Sequence, residues 1–467
     1  MKLLPALLVL LATSACPAAG RPNIVLMLSD DQGWAGLSVA MHPDVPGSKS
    51  TVFHTPHAER LAAQGMRFSS AYAPAPVCSP TRVSLQTGKS PAQLHWTKAA
   101  PPEPGHKLIE PRLVRSLPAS ETTIAELLRP AGYATAHYGK WHIAGGGPGA
   151  HGYDEHDGDT GNEEAYRFRD PNPVDIFGMA ARAATFMERS ARAGKPFYVQ
   201  LSWHALHAPE NARRATLAKY EQSLPGEGAQ RVATAAITED LDAGVGRVLE
   251  AIDRLGLADN TYVIYMSDNG SGGGRRNPLR GGKGGVWEGG IRVPLIIRGP
   301  GVAPNSWCHT PVVGYDLLPT FCDWAGVAPA ARPKGVEGGS IAALVAGRGT
   351  GKVERPHEEL VFHFPHYQGE DGPHSAILLG NLKLLRFYED DRVLLFDLSR
   401  DLGERDDLAA RMPAEAARLR DRLSAYLAAV DAQFAAVDPT YDPKRPPEAG
   451  PGRRGGRNPP EPNDSRR

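Results

Sequence analysis

Four short segments of this chain carry residue types that do chemistry. Asp30-Asp31, Lys140-Trp141-His142, the histidines of Trp203-His204-Ala205-Leu206-His207, and Asp268-Asn269-Gly270 each follow an apolar, often β-branched run. Carboxylate and amide oxygens suit a hard cation, Ca2+ or Mg2+, whereas zinc or copper would want more imidazole or thiolate. Taken alone, Asp-Asp is a turn or a helix cap and Asp-Asn-Gly is a turn. Paired at two strand ends, Asp30, Asp31, Asp268 and Asn269 read as a metal site. The sharpest segment is Val77–Gly88. Pro80 suits a first helical turn and Gly88 can end the helix. That places Cys78 just before a helix N-terminus, where free N–H groups and the helix dipole favour an anion, with Arg82 one turn on. Taken alone, a buried structural cysteine explains Cys-x-Pro as well.

The elements that must position these residues follow from hydrophobic patterning. Five continuous apolar runs, Asn23–Leu28, Ala134–Tyr138, Pro196–Leu201, Thr261–Met266 and Val293–Ile297, predict buried strands of a parallel sheet. Helices are predicted between them: Thr55–Gln64, with a threonine N-cap, Pro56 at the first position and Gly65 as stop; Thr122–Arg129; Pro173–Ala193; and Val232–Leu255. Strand alternating with helix predicts an α/β fold, a mostly parallel central sheet sandwiched by helices. In such sheets ligands bind outside the carboxyl ends of the strands, which is where the chemical segments fall. From about Glu354 the pattern changes to closely spaced strands, Glu359–Phe364, Ser375–Leu379, Leu382–Tyr388 and Val393–Asp397, and one helix, Pro413–Val430. The expected organisation is therefore a catalytic α/β domain over 21–350 and a small antiparallel sheet plus helix over 354–438.

The chain has 467 residues with 52 Lys+Arg against 52 Asp+Glu. A balanced charge excludes a general nucleic-acid binder while leaving room for a basic pocket for a small anion. Residues 442–467 hold seven Pro, four Gly and seven Lys/Arg with almost nothing apolar, which predicts a disordered tail. At the other end, Met1-Lys2, the apolar run Leu3–Ala12 and small residues to Gly20 read as a signal peptide over 1–20, so the mature protein is expected to be exported, periplasmic or secreted. Thr13-Ser14-Ala15-Cys16 also fits a lipoprotein cleavage site, with Cys16 lipidated. No other stretch reaches about 18 apolar residues, so no transmembrane segment is expected. Cys308 and Cys322 read equally well as a disulfide or as two buried thiols. That leaves Cys78 as the odd cysteine, which calls for an explanation.

Cys78-Ser79-Pro80-Thr81-Arg82 with Thr87-Gly88 closely resembles the signature of the formylglycine-dependent sulfatases, arylsulfatase-A-like members of the alkaline-phosphatase-like superfamily. Gly132-Tyr133 through Gly139-Lys140-Trp141-His142 resembles their second signature, and Glu288-Gly289-Gly290-Ile291-Arg292-Val293-Pro294 a further one. The resemblance runs from about Arg21 to about Asp438. It implies that a separate maturation enzyme oxidises Cys78 to formylglycine, whose hydrate is the nucleophile. It further implies one Ca2+ per subunit, held by Asp30, Asp31, Asp268 and Asn269 with the modified Cys78. Arg82 would steady the hydrate, Lys140 and His142 would contact sulfate and nucleophile, and His207 and Lys283 would sit near the leaving oxygen. His204 is expected to be a pocket neighbour or a plain strand-end histidine, and Glu288 and Arg292 to be structural.

The implied activity is hydrolysis of a sulfate ester, a small molecule or a glycan, with a sulfated carbohydrate as the expected substrate. On the substrate side, His95-Trp96, the loop His151–His156 and His363-Phe364-Pro365-His366-Tyr367 offer rings that suit a sugar, or plain packing residues. Two alternatives stand beside this reading. A phosphonate monoester hydrolase or phosphodiesterase shares the cysteine signature, and a non-catalytic sulfated-glycan-binding protein would use the same polar set unmodified.

Overall fold

A computed structural model of the chain describes residues 20–272, 278–369 and 371–445. The expected signal peptide with Cys16 therefore lies outside the described residues up to position 19, and the expected tail does so from Pro446 on.

Eight strands form the central sheet: β1 (Asn23–Ser29), β2 (Met66–Phe68), β3 (Ala134–Gly139), β4 (Glu155–His156), β5 (Phe197–Ser202), β6 (Thr261–Ser267), β7 (Leu295–Arg298) and β8 (Ser306–Cys308). Their spatial order is β8-β2-β7-β6-β1-β5-β3-β4. The strands β6, β1, β5, β3 and β4 run parallel. One expectation needs correction: β7 runs antiparallel to both its neighbours, β6 and β2. A continuous apolar run signals burial on both faces but carries no strand direction.

Every residue of β1 is buried, and alternation sends its side chains to opposite faces. Val25 and Met27 join the core under helices Pro56–Gln64, Ile176–Arg192 and Ala229–Arg254. Ile24, Leu26 and Leu28 join the core under helices Cys78–Thr87, Ile124–Leu128, Leu317–Ala325 and Ala342–Ala346. The result is a three-layer sandwich. Helix starts follow local chemistry: Thr123 and Glu126 form a reciprocal capping box ahead of Ile124–Leu128. Thr55 occupies the cap position of Pro56–Gln64, but its side chain does not cap. The carboxylate of Asp242, on the facing helix, takes the N–H groups of His57 and Ala58 at 2.9 and 2.8 Å.

Four consecutive antiparallel strands follow: β9 (Leu360–Phe364), β10 (His374–Leu379), β11 (Leu382–Phe387) and β12 (Val393–Asp397). One face, with Phe362, Phe364, Leu385 and Phe387, packs on Tyr72, Val77, Val286 and Trp287 of the central unit. The other face is closed by Leu419, Leu423 and Leu427 of helix Pro413–Ala429. Cys308 and Cys322 are separate buried thiols, not a disulfide. No helix among the described residues is long and apolar enough to cross a membrane.

Candidate active site

The strands β6, β1, β5 and β3 are consecutive neighbours in the sheet. Their carboxyl ends therefore deliver Asp268, Asp30, His204 and Lys140 side by side, at the strand spacing of about 4.8 Å. Backbone pairing continues past the strands and fixes these positions. Asp268 N–H donates to Ser29 O at 3.0 Å, Trp203 N–H to Leu28 O at 2.9 Å and Lys140 N–H to Ser202 O at 2.8 Å. The chain after β5 is locked to Asp30 in both directions: Asp30 N–H donates to Ala205 O (2.8 Å) and Leu206 N–H to Asp30 O (2.6 Å). Asp31 and His142 both sit at positive φ, 58° and 59°. Each holds a conformation that costs roughly 1–2 kcal/mol, kept by the surrounding structure.

Carboxylate oxygens of Asp30, Asp31 and Asp268, all buried, lie within 4.8 Å of one another. Asn269 Nδ2 donates to Asp31 Oδ1 at 2.7 Å and to its neighbour Gly270 O at 2.9 Å, which turns its own Oδ1 away from both. That Asn269 Oδ1 and Asp30 Oδ1 are sealed from solvent with no hydrogen-bond partner. Buried acceptors left open this way are costly unless something positive meets them. Clustered hard oxygens with two orphaned acceptors fit a divalent cation of the Ca2+ type.

Cations surround the cluster. Arg82 holds Asp268 Oδ2 through Nε (3.1 Å) and Nη2 (2.7 Å) and donates from Nη1 to Lys140 O (2.6 Å). Lys140 Nζ pairs with Asp30, and Lys283 Nζ lies 2.8 Å from both oxygens of Asp31. Burial alone would raise every carboxyl here, and the balance differs by position. At Asp30 burial is outweighed by Lys140, with His207, Arg82 and Lys283, and the group stays well below the ordinary range. At Asp31 Lys283 outweighs burial, and the carboxyl is again lowered. At Asp268 burial and the charge of Asp30 prevail over Arg82, and its carboxyl is pushed well up. Three carboxyls thus face three cations, and what stays open is the pair of unpartnered acceptors, Asp30 Oδ1 and Asn269 Oδ1.

Cys78 is the first residue of helix Cys78–Thr87, not the residue before it, and Val77 takes the cap position. Gly88 ends the helix in the left-handed region at φ 70°, as expected. Cys78 is 2% exposed, with Sγ 3.4 Å from His142 Nδ1. Burial would raise its thiol, but Lys140 and Lys283 outweigh it and the thiol lies below its usual range. Burial, then Lys140 and Arg82, push His142 down to about 3, so its ring is neutral. His207 is partly exposed, and its Nδ1 lies 2.8 Å from Ala208 O. A carbonyl can only accept, so Nδ1 carries the proton and Nε2 is left for other partners. His204 is 3% exposed and its Nδ1 has no partner. Burial, then Lys140, lower it to about 3.

The structure thus brings together Asp30, Asp31, Cys78, Arg82, Lys140, His142, His207, Asp268, Asn269 and Lys283. The other suggested histidines are engaged elsewhere. His95 Nε2 meets Asp431 O (2.7 Å) and His151 Nε2 meets Gly145 O (3.0 Å). His363 bridges Ser375 and Gln433 O, and His366 bridges Thr97 and Glu110. Glu288 and Arg292 form a buried pair at 2.5 Å. Sequence reasoning missed Gln368, from the loop between β9 and β10. Its side chain lies against Gly284, beside Lys283: a Cβ built on Gly284 would fall 2.8 Å from Gln368 Cγ. No motif marks it, because the contact joins two units of the fold.

Residues 22–327 match the family described as Sulfatase, and residues 282–433 that described as N-sulphoglucosamine sulphohydrolase, C-terminal. Human arylsulfatase A is 30% identical over 466 residues, covering 85% of this chain and 86% of that protein. Dog N-acetylgalactosamine-6-sulfatase is 30% identical over 371 residues, covering 69% of this chain and 66% of that protein. Among solved structures, Ps i-CgsB superimposes with a TM-score of 0.72 at 25% identity, covering 87% of this chain and 93% of that one. The same protein has been solved in complex with k-i-k-neocarrahexaose, with the same degree of likeness.

Proposed function

The chain belongs to the sulfatase family and is a sulfuric ester hydrolase, and from that premise we propose that it removes sulfate from a carbohydrate, with Cys78 matured to formylglycine and one Ca2+ at Asp30, Asp31, Asp268 and Asn269. The observation that carries this reading is the meeting of four strand ends around two sealed, unpartnered acceptors, Asp30 Oδ1 and Asn269 Oδ1. The carbohydrate is supported by relatives whose names and complexes carry sugars.

When present, the ion would supply charge stabilisation to sulfuryl oxygens, and the hydrate at position 78 a hydroxyl nucleophile in the place that Sγ now holds. The remaining work falls to the chain's own side chains. Arg82 ties Asp268 to the backbone of Lys140, so the two strand ends keep their spacing. Lys140 and Lys283 bring two positive charges to a buried pocket, where an anion is stabilised far more than in water. His142, neutral and facing position 78, can orient the attacking hydroxyl by a hydrogen bond at Nδ1. His207 holds its Nδ1 proton against Ala208, so it donates from Nε2 only as the imidazolium. That is the state required to protonate a departing sugar oxygen. Export through residues 1–20 and maturation of Cys78 by a separate enzyme complete the proposal.

Mass spectrometry of the tryptic peptide Phe68–Arg82, from protein made in its native host, tests it. The expected product is formylglycine or its hydrate at position 78, with release of sulfate from sulfated sugars. Unmodified cysteine in an active preparation would overturn the nucleophile. Faster turnover of phosphonate or phosphodiester esters than of sulfate esters would overturn the substrate class.

A further inference from the structure

One polar side chain in the pocket has no duty in the scheme above. His204 follows β5 and stands between the strand ends that deliver Asp30 and Lys140. It is 3% exposed, and neither ring nitrogen meets a hydrogen-bond partner among the described residues, Nδ1 being fully sealed. Its backbone is held firmly: its carbonyl accepts from His207 N–H at 2.9 Å, and the flanking Trp203 and Ala205 are pinned to Leu28 and Asp30 at 2.9 and 2.8 Å. The charges felt at its ring are those of the buried Lys140, Asp30 and Arg82, and of the half-buried His207. His137, buried within β3 with an unpartnered Nδ1, differs: its Nε2 is 3.1 Å from Ser202 Oγ, inside the sheet layer.

A buried imidazole with no partner is a cost to the fold unless a ligand completes it. We propose that His204 is a positioning residue that donates an N–H hydrogen bond to a non-bridging oxygen of the bound sulfuryl group, an inference that rests on the sulfatase reading of this site. The neighbours decide for sulfate over sugar, because His204 stands among the floor cations, whereas His207 and Lys283 are the partly exposed groups toward the mouth. They also explain why the residue is an imidazole. Arg82, Lys140 and Lys283 already supply three positive charges, and a neutral donor adds direction without further like-charge repulsion.

The test uses the full-length, matured, Ca2+-loaded enzyme with inorganic sulfate as probe, by calorimetry, beside kcat and KM on a sulfated sugar. His204→Ala is expected to weaken sulfate binding about tenfold and lower kcat/KM by a similar factor, the size of one neutral hydrogen bond. Asparagine places its amide near Nδ1 and glutamine near Nε2, so one of His204→Asn or His204→Gln should restore most of the loss and the other should not. A merely structural role predicts no such split and a falling melting temperature. Unchanged sulfate affinity in His204→Ala, or equal loss in all three variants, overturns the inference. If sulfate affinity holds while only the sugar substrate suffers, the contact is to the sugar and the assignment is wrong. A wild-type enzyme that binds sulfate but turns over no sulfate ester fails the parent reading, and His204 falls with it.

Discussion

Lys283 belongs to one cluster of buried charge and Glu288, further along the same segment, to another. The first holds Asp30, Asp31 and Asp268 with Arg82, Lys140 and Lys283; the second holds Glu288 and Glu404 with Lys383 and Arg292. In the second, Lys383 Nζ lies 2.8 Å from both acids, Arg292 Nε is 2.5 Å from Glu288, and Glu404 Oε2 takes the Glu288 N–H at 2.7 Å. Glu404 Oε1 meets Lys383 as an ion-pair contact outside hydrogen-bond geometry. Acids there are kept apart by shared cations. In the first cluster, carboxylates crowd together and two acceptors face no partner. A buried charge cluster that closes its own valences is a joint, and one that leaves them open is a site.

Substitutions that touch one property and spare the other sharpen this contrast. The largest effect is expected from Cys78→Ala: turnover of a sulfate ester should fall by at least about 10⁴-fold, with the melting temperature nearly unchanged. Substantial residual turnover would remove Cys78 from the chemistry. The two lysines make a direct pair. Lys383→Met should cost about 3–5 kcal/mol in denaturant unfolding, because it strands two buried acids, while kcat of the folded protein stays within about twofold. Lys283→Met should do the reverse, lowering kcat about 10²–10³-fold with little loss of stability in the Ca2+-loaded protein. If both lysines affected the same property, the distinction between joint and site would fail.

Ca2+ should act on one cluster only. Removal by chelation should abolish activity, and restoring the ion at about 100 times its Kd should stabilise the fold by about 2.7 kcal/mol, read as a rise in melting temperature. Ca2+ without effect on either property would break the assignment. The smallest effect concerns pH. Burial and then the Glu288 charge, opposed by Lys383, push Glu404 up to about 7 from an ordinary 4.5. The folded state therefore holds this proton more tightly than the unfolded state, and its contribution is lost as pH rises from about 4.5 to about 7. Glu404→Gln keeps an acceptor for the Glu288 N–H without the charge. Its melting temperature should gain on wild type by a few degrees across that window, and parallel curves would refute the charge argument.

Much of the site was legible because its residues close strands. Asp30, Lys140, His204 and Asp268 each end a run of apolar residues, and the sheet then had to place them on one edge. Pro56, Pro80 and Gly88 marked helix ends by their own backbone chemistry, whereas the cap of the helix expected over Thr122–Arg129 falls on Thr123. What stayed hidden depends on distant partners. The direction of β7 is not encoded in an apolar run, and β2, β4 and β8 are too short to show a period. Asp242 caps a helix from 185 residues away. Lys283 lies among glycines without periodicity and came to notice only through resemblance to a family. The outward turn of Asn269 Oδ1 required the positions of Asp31 and Gly270.

The segment around Lys283 is stitched to the C-terminal sheet at four points. Gln368 lies on Gly284, Val286 N–H donates to His374 (3.0 Å), Trp287 Nε1 to Asp371 (2.8 Å), and Glu288 joins Lys383. A recombination between relatives near residue 350, where composition suggests a boundary, would separate all four partners from the lysine they hold. A crossover ahead of Leu279 would keep them together. The natural unit of inheritance for the C-terminal part thus begins inside the pocket, and exchanging that unit carries the Lys283 segment with it.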